Sequence, residues 1–306
     1  MMKSLNLYKY YFILFIGWIF LSVKTVNAKQ EFIVSTVWLA EHLNDKNLVL
    51  IEIGKPDEYE KEHIPGAVFM STKDISIPFE TAKLRLQMPS LDELKNTFEK
   101  IGISNGSRII IYYHTDWVTP SARFFLTFDY MGLSSNTSIL DGGLPKWKSE
   151  NRIVTSEIPN PEMGKLELDH PDSSVIADIK YVAENIDNPK IQIIDARDKV
   201  FYTGENKRGY DRPGHIKNAV SIPYSSVATE NVPILFKDKN ELIDLFEKSG
   251  VPKGKEIISY CHIGQQASLI YFVAKYLGYK AKVYDGSYEE WDKHTELPVV
   301  SSDSKD

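Results

Sequence analysis

One cysteine in 306 residues, Cys261, excludes a disulfide within the chain and any C-x-x-C redox or zinc motif. Histidine does not fill the gap. The seven histidines, His42, His63, His114, His170, His215, His262 and His294, form no pair at ligand spacing, so neither metal nor other cofactor is expected. No arginine follows Arg212. A Cys-x5-Arg phosphate loop begun at Cys261 would need arginine at 267, where Ala267 stands, so a phosphoryl dianion would lack its bidentate partner. Surplus positive charge is missing too: 36 Lys and Arg against 42 Asp and Glu leave a net −6, which removes nucleic acid and anionic membrane as default partners. Long apolar runs are confined to the N-terminus. There Met1 to Lys9 carries two lysines and no acid, Tyr10 to Val23 is apolar, and Val26-Asn27-Ala28 offers small residues at signal-peptidase spacing. A signal peptide over 1–28, cleaved after Ala28, is the expectation. An uncleaved anchor is the alternative, disfavoured because the run is shorter than the ~20 residues of a spanning helix. Export would place the mature chain in a periplasm or outside the cell, with no membrane contact after cleavage.

What is present begins with ordinary globular usage, 42% hydrophobic and 25% charged residues, in a length that accommodates about two domains. A long internal repeat divides the mature chain. Leu48 to Met70, an amphipathic segment Ser90 to Ile101, a strand Arg108 to Tyr113, a helix Pro120 to Met131 and Ser138 to Trp147 form the first copy. Ile191 to Pro223, a helix Asn240 to Lys248, a strand Glu256 to Tyr260, a helix from Gly264 and Lys282 to Trp291 form the second. Asp141-Gly142 with Trp147 corresponds to Asp285-Gly286 with Trp291, and the His63-Ile64 segment to His215-Ile216. Strands alternating with helical patterns predict α/β domains with mainly parallel sheets covered on both faces. The expected domains are 29–155 and 173–306. The linker, 156–172, is rich in Pro, Asp, Glu and Ser and lacks an apolar period.

Cys261 falls between the buried-strand pattern ending at Tyr260 and a helical pattern through Leu269, Ile270, Phe272, Val273, Tyr276 and Leu277. Such a strand-to-helix turn aims free N–H groups and the positive end of the helix dipole into its mouth, which favours a thiolate. Aligning the halves puts His114 opposite Cys261, so one copy carries a nucleophile and the other does not. A catalytic residue need occur only once.

Asp195-Ala196-Arg197, Gly214-His215-Ile216, the C-x-x-G turn from Cys261 to Gly264, and Asp285 to Trp291 as D-G-x-x-x-W, in this order in two similar α/β halves, resemble the tandem-domain rhodanese sulfurtransferases. The resemblance spans the mature chain. It implies two tandem rhodanese-like domains, an inactive N-terminal one and a catalytic C-terminal one whose cysteine carries sulfur as a persulfide. Donors would be of the thiosulfate or 3-mercaptopyruvate type, and acceptors thiols or cyanide. The active loop becomes His262, Ile263, Gly264, Gln265, Gln266 and Ala267. It carries no Lys or Arg, and Phe201 stands where an anion-binding arginine is often found in the family. Anion contacts are therefore sought in Gly204 to Arg212, with Arg212 and Arg208 as candidates and Lys207 beside them. Asp195, Arg197 and His215 are expected to be structural, and Trp147 and Trp291 to be packing residues.

Disulfide exchange lacks a resolving thiol, since residue 264 is Gly264. The different-class rival is a non-catalytic exported binding module, or a thiol or persulfide sensor, on the same fold.

Overall fold

The computed structural model describes residues 31–115 and 118–301, so the expected signal peptide, 1–28, lies outside the described residues. The first half comprises β1 (Ile33–Val34), α1 (Thr36–His42), β2 (Leu48–Ile53), α2 (Pro56–Tyr59), β3 (Val68–Met70), α3 (Leu91–Lys100), β4 (Arg108–Tyr113), α4 (Thr119–Tyr130), β5 (Thr137–Leu140) and α5 (Gly143–Ser149). The second comprises β6 (Ile176–Ala177), α6 (Ile179–Asn185), β7 (Ile191–Asp195), α7 (Lys199–Tyr202), β8 (His215–Ile216), β9 (Val220–Ser221), α8 (Lys239–Lys248), β10 (Glu256–Tyr260), α9 (Gln265–Leu277), β11 (Ala281–Tyr284), α10 (Ser287–Trp291) and β12 (Val299–Val300).

Each half holds a parallel five-stranded sheet, ordered β1-β5-β4-β2-β3 in the first and β6-β11-β10-β7-β9 in the second. Strand β12 pairs antiparallel with β8. The β-branched and aromatic run of β4 suits a strand buried on both faces: Ile109 and Ile111 enter one core, Ile110 and Tyr112 the other. Helix starts are sequence-encoded. Ser90 and Glu93 close a capping box on α3, and Asp238 and Glu241 do so on α8.

The two halves share one apolar core. Helices α4 and α9 lie against each other with Phe125 edge-on to Phe272, ring centroids 4.8 Å apart at 83°, and Phe32 packs on both. At the C-terminal ends of the pair, Asp129 accepts a hydrogen bond from Tyr271 at 2.5 Å and faces Lys275 Nζ at 3.0 Å. The 156–172 connection differs from the loose spacer its composition suggests. It is a strap sewn to the first half: Leu166 is buried and its N–H donates to Glu99 Oε1 at 2.7 Å, while Glu167 N and Asn105 Oδ1 meet at 2.7 Å. Side-chain acceptors supplied by the domain replace a sheet partner, so no apolar period is needed.

Phe272 belongs to the core of both halves. Phe272→Ala is expected to lower the unfolding free energy by about 3–5 kcal/mol, measured by urea denaturation, whereas an effect of a few tenths would mean the halves are stabilised independently of this contact.

Candidate active site

Strand β10 delivers Cys261 to the C-terminal edge of its sheet, and α9 starts four residues later. The chain reverses at Gly264, whose φ of +86° is the left-handed conformation that favours glycine. Among the described residues no acceptor meets the backbone N–H groups of His262 to Ala267. Those of Gln265, Gln266 and Ala267 belong to the first turn of α9, where a helix leaves its donors unsatisfied. The other wall of the turn is the start of α10. Cys261 N donates to Ser287 Oγ at 3.2 Å, Tyr288 N to Cys261 O at 3.0 Å and Glu289 N to His262 O at 3.1 Å. Ser287 itself has a φ of +49° and donates its hydroxyl to Tyr284 O at 2.8 Å. A rigid loop of unpaired donors around one thiol can stabilise a thiolate or an anionic persulfide.

The thiol is fully buried, and the next residue, His262, is packed among aromatic rings. His262 lies edge-on to Phe201, centroids 4.7 Å apart, and stacks with Tyr210, whose hydroxyl is 3.1 Å from His262 Nδ1. Burial, then the charges of Arg197, Arg208 and Arg85, push the His262 imidazole down to about 3. The loop is therefore uncharged at neutral pH. Burial likewise holds the Tyr210 phenol up to about 12, so it keeps its proton beside the site. Gln265 Nε2 reaches Thr119 Oγ1 of the first half at 3.3 Å, and Gln266 bonds Tyr224 while its Oε1 stays buried without a partner.

Arg197 and Asp195 form a bidentate buried pair, Nε to Oδ1 at 2.9 Å and Nη2 to Oδ2 at 2.5 Å, with Tyr260 Oη donating to Asp195 Oδ2 at 2.6 Å. Arg197 also spends Nη2 on Gly214 O at 2.6 Å and lies 4.0 Å from the centre of the Tyr288 ring. His215 stacks on Tyr202 and its Nδ1 faces Tyr202 O at 2.8 Å. Trp147 and Trp291 are buried, each indole N–H donating to a backbone carbonyl.

Two sequence expectations need correction. Arg212, the favoured anion contact, is spent on backbone: its guanidinium donates to Asp292 O at 3.1 Å, to Leu297 O at 2.6 Å and to Trp291 O. It closes the C-terminal end of α10, where carbonyls lack helical partners, and so has no fork to offer a ligand. Nor is His114 the counterpart of Cys261. Tyr112 Oη accepts from Ile64 N at 3.1 Å as Tyr260 Oη does from Ile216 N, also at 3.1 Å, which equates Tyr112 with Tyr260 and hence Tyr113 with Cys261. The first-half loop before α4 is longer than the one before α9, and this moved the sequence alignment by one residue. His114 bonds Glu52 Oε1 at 2.6 Å, and Tyr113 reaches Ile234 O of the second half at 2.6 Å.

Arg208 does face the site. It is exposed on the Gly204 to Arg212 loop with its guanidinium 5.9 Å from the Phe201 ring centre, and its charge acts on His262. Lys207 is exposed at the preceding position. Sequence reasoning missed the residues that the first half contributes, Arg85 and Arg123. Arg85 donates Nε to Glu289 Oε1 at 2.7 Å, and with Ile77, Phe79, Leu86 and Ile263 it lines a cleft of about 560 Å³ beside the loop. No local pattern marks either arginine, because only the docking of the halves brings them to the turn.

A profile of the rhodanese-like domain matches residues 35–150 and 178–294. The chain is 33% identical over 293 residues to the sulfur carrier protein TtuD of Thermus thermophilus, covering 90% of this chain and 99% of that one. The Escherichia coli 3-mercaptopyruvate sulfurtransferase SseA superposes with a TM-score of 0.73 at 25% identity over 84% of this chain and 98% of its own. The anaerobic ergothioneine biosynthesis enzyme of Chlorobium limicola superposes with a TM-score of 0.75 at 20% identity, over 88% of this chain and 70% of its own, and shares the fold.

The depressed His262 carries a pH signature. Below about pH 6.5 the unfolded chain takes up a proton that the folded chain refuses until about 3, so stability falls as pH drops through that window. Between pH 7 and 5 this component amounts to about 2 kcal/mol, and it is expected to vanish in His262→Asn. Urea denaturation of both proteins at the two pH values measures it; equal losses would show that His262 is not held neutral.

Proposed function

Because the chain belongs to the rhodanese family and is a sulfurtransferase of that type, we propose that Cys261 carries sulfane sulfur as a persulfide, from a small anionic donor to a thiol or cyanide acceptor. The observation that carries this reading is the single thiol seated in a Gly264-reversed turn whose N–H groups from His262 to Ala267 meet no acceptor among the described residues. The Cys261 thiolate attacks the outer sulfur of the donor. The new S–S bond forms as the donor's own bond to that sulfur breaks, and the electron pair leaves with the remainder, sulfite when thiosulfate is the donor. The terminal persulfide anion then sits among the turn's N–H groups and the dipole of α9. An acceptor thiolate or cyanide takes that sulfur and returns Cys261 to its thiolate. The relative TtuD is by its name a sulfur carrier, which supports a protein-bound intermediate.

Loop side chains supply no charge for the donor, and the locked guanidiniums of Arg197 and Arg212 leave Arg208 as the exposed cation of the second half nearest the turn. Because Cys261 is fully buried, a donor reaches it only when part of its surroundings moves aside. On this reading the intact mass of the protein gains one sulfur atom after incubation with thiosulfate or 3-mercaptopyruvate and loses it on adding cyanide. Cys261→Ser takes up none, and Arg208→Ala raises the donor KM about two- to fivefold, the scale of an exposed ion pair. Absence of any adduct from either donor would favour a binding module or sensor instead.

The basic, apolar and small-residue succession of residues 1–28 supports export to a periplasm or the exterior. Expression of the full chain in a secreting host is expected to give a mature protein beginning at Lys29, read by N-terminal sequencing; a cell-retained protein starting at Met1 would overturn export.

A further inference from the structure

Arg123 stands on α4 of the first half, yet its side chain ends behind the catalytic turn of the second. The residue is 1% exposed, a position that disfavours a charge unless it is paired. Nη2 donates to Leu86 O at 2.6 Å and lies 2.7 Å from Asp285 Oδ1, an ion-pair contact across the two halves. Nε and Nη1 meet no acceptor among the described residues. A side-chain carbon on Gly264 would lie 3.1 Å from Arg123 Nη1, 3.2 Å from Asp285 O and 3.5 Å from Asp285 Oδ1. Asp285 Oδ2 accepts from Met88 N at 3.1 Å. An ion pair with one member from each half, Arg123 buried and the Asp285 side chain 16% exposed, thus backs directly onto the glycine of the turn; its 2.7 Å contact is a charge contact, since Asp285 Oδ1 makes no hydrogen bond among the described residues.

The other copy has no such pair. Counted from the first residues of α4 and α9, Thr119 and Gln265, Arg123 corresponds to Leu269. Asp141, the counterpart of Asp285, accepts from Phe236 N at 3.0 Å, and among the described residues its one ion-pair contact is Lys146 of its own half at 3.9 Å. Among the described residues, a buried guanidinium therefore stands behind the turn that carries the thiol and not behind its counterpart.

We infer that Arg123 is a positioning residue for Cys261: it neutralises the Asp285 carboxylate behind Gly264, so that no negative charge opposes the thiolate held by the turn's N–H groups. The inference rests on the reading of Cys261 as the sulfur carrier. A carboxylate left alone at this place would disfavour the thiolate by like-charge repulsion, and Asp285 has a second task there, its Oδ2 accepting Met88 N of the first half.

The test is the pH dependence of Cys261 alkylation by iodoacetamide in the full chain, a readout of thiolate that does not require sulfur transfer. Arg123→Met is expected to move the midpoint up by about one unit, an alkylation roughly tenfold slower at pH values below both midpoints. Arg123→Met with Asp285→Asn brings the midpoint back, and Asp285→Asn alone moves it down, which keeps the test open should the methionine variant not fold. Tyr271→Phe loosens the far end of the α4–α9 contact and is expected to lower Tm with the midpoint unmoved. An unmoved midpoint in folded Arg123→Met, no recovery in the double variant, a rise in Asp285→Asn, or an equal shift in Tyr271→Phe overturns the inference. Failure of the sulfur-carrier reading looks different: the parent protein alkylates normally yet takes no sulfur from either donor.

Discussion

The packing of α4 against α9 is the contact on which both the fold and the site depend. Phe125 and Phe272 join the cores, and the Asp129 contacts with Tyr271 and Lys275 pin the C-terminal ends of the pair. The N-terminal end of α9 is the Cys261 turn, and α4 passes behind it with Arg123. Sliding one helix on the other would disturb the apolar core and the turn together. The half without a thiol is thereby a structural wall of the site. Its Arg85, Leu86 and Met88 reach the second half through Glu289, the Ile263 cleft and Asp285.

Each half solves the same local problem, how to hold a strand-to-helix turn at a sheet edge, with a buried carboxylate and tyrosine. In the second, Asp195 takes the Tyr260 hydroxyl, and that oxygen in turn accepts Ile216 N. In the first, Glu52 takes Tyr112, whose oxygen accepts Ile64 N. A bare buried carboxylate would be costly, and in both places hydrogen bonds satisfy it. The third partner differs. Arg197 makes a full bidentate pair with the shorter Asp195, whereas the extra methylene of Glu52 brings its carboxylate to His114. The frame is thus common to both halves, and the chemistry is decided by the next residue along, Cys261 in one and Tyr113 in the other. Tyr113 turns its hydroxyl into the second half and serves as part of the joint.

Local pattern carried most of the architecture. Strand β10 and the amphipathic helices α3 and α8 were legible because a buried parallel strand reads as a continuous β-branched run and a capped helix announces its first turn. The candidate turn was legible for the same reason, since Cys261 and Gly264 sit where one period ends and another begins. Arg212 misled because a cation near the site in sequence carries no sign of whether carbonyls or a ligand will claim it, and the carbonyls at the end of α10 do. The one-residue error at His114 arose where the two loops differ in length and only the tyrosine hydrogen bonds define the register. Arg123 was invisible because its partner is 162 positions away, on the other half.

The uncharged active loop is then less odd than it looks in sequence. A lysine or arginine within His262 to Ala267 would stand over the first turn of α9, where the N–H groups already supply positive potential, and it would compete with them for the same anion. With His262 held neutral by burial and by three surrounding arginines, the stabilisation of the proposed thiolate or persulfide falls to oriented backbone donors, which need no reorganisation when the charge forms. Charge is kept one layer out. Arg197 is buried under Tyr288 and tied to Asp195, Arg123 is buried under Gly264 and tied to Asp285, and Arg208 stands at the rim. Each of the two buried arginines is matched by an aspartate, so the interior of the site stays close to electrically neutral until the proposed sulfur chemistry places a charge on Cys261. On the proposed sulfur-carrier reading, such an arrangement separates two tasks that one loop cation would have to combine, attracting an anionic donor at the rim and tolerating an anionic persulfide within.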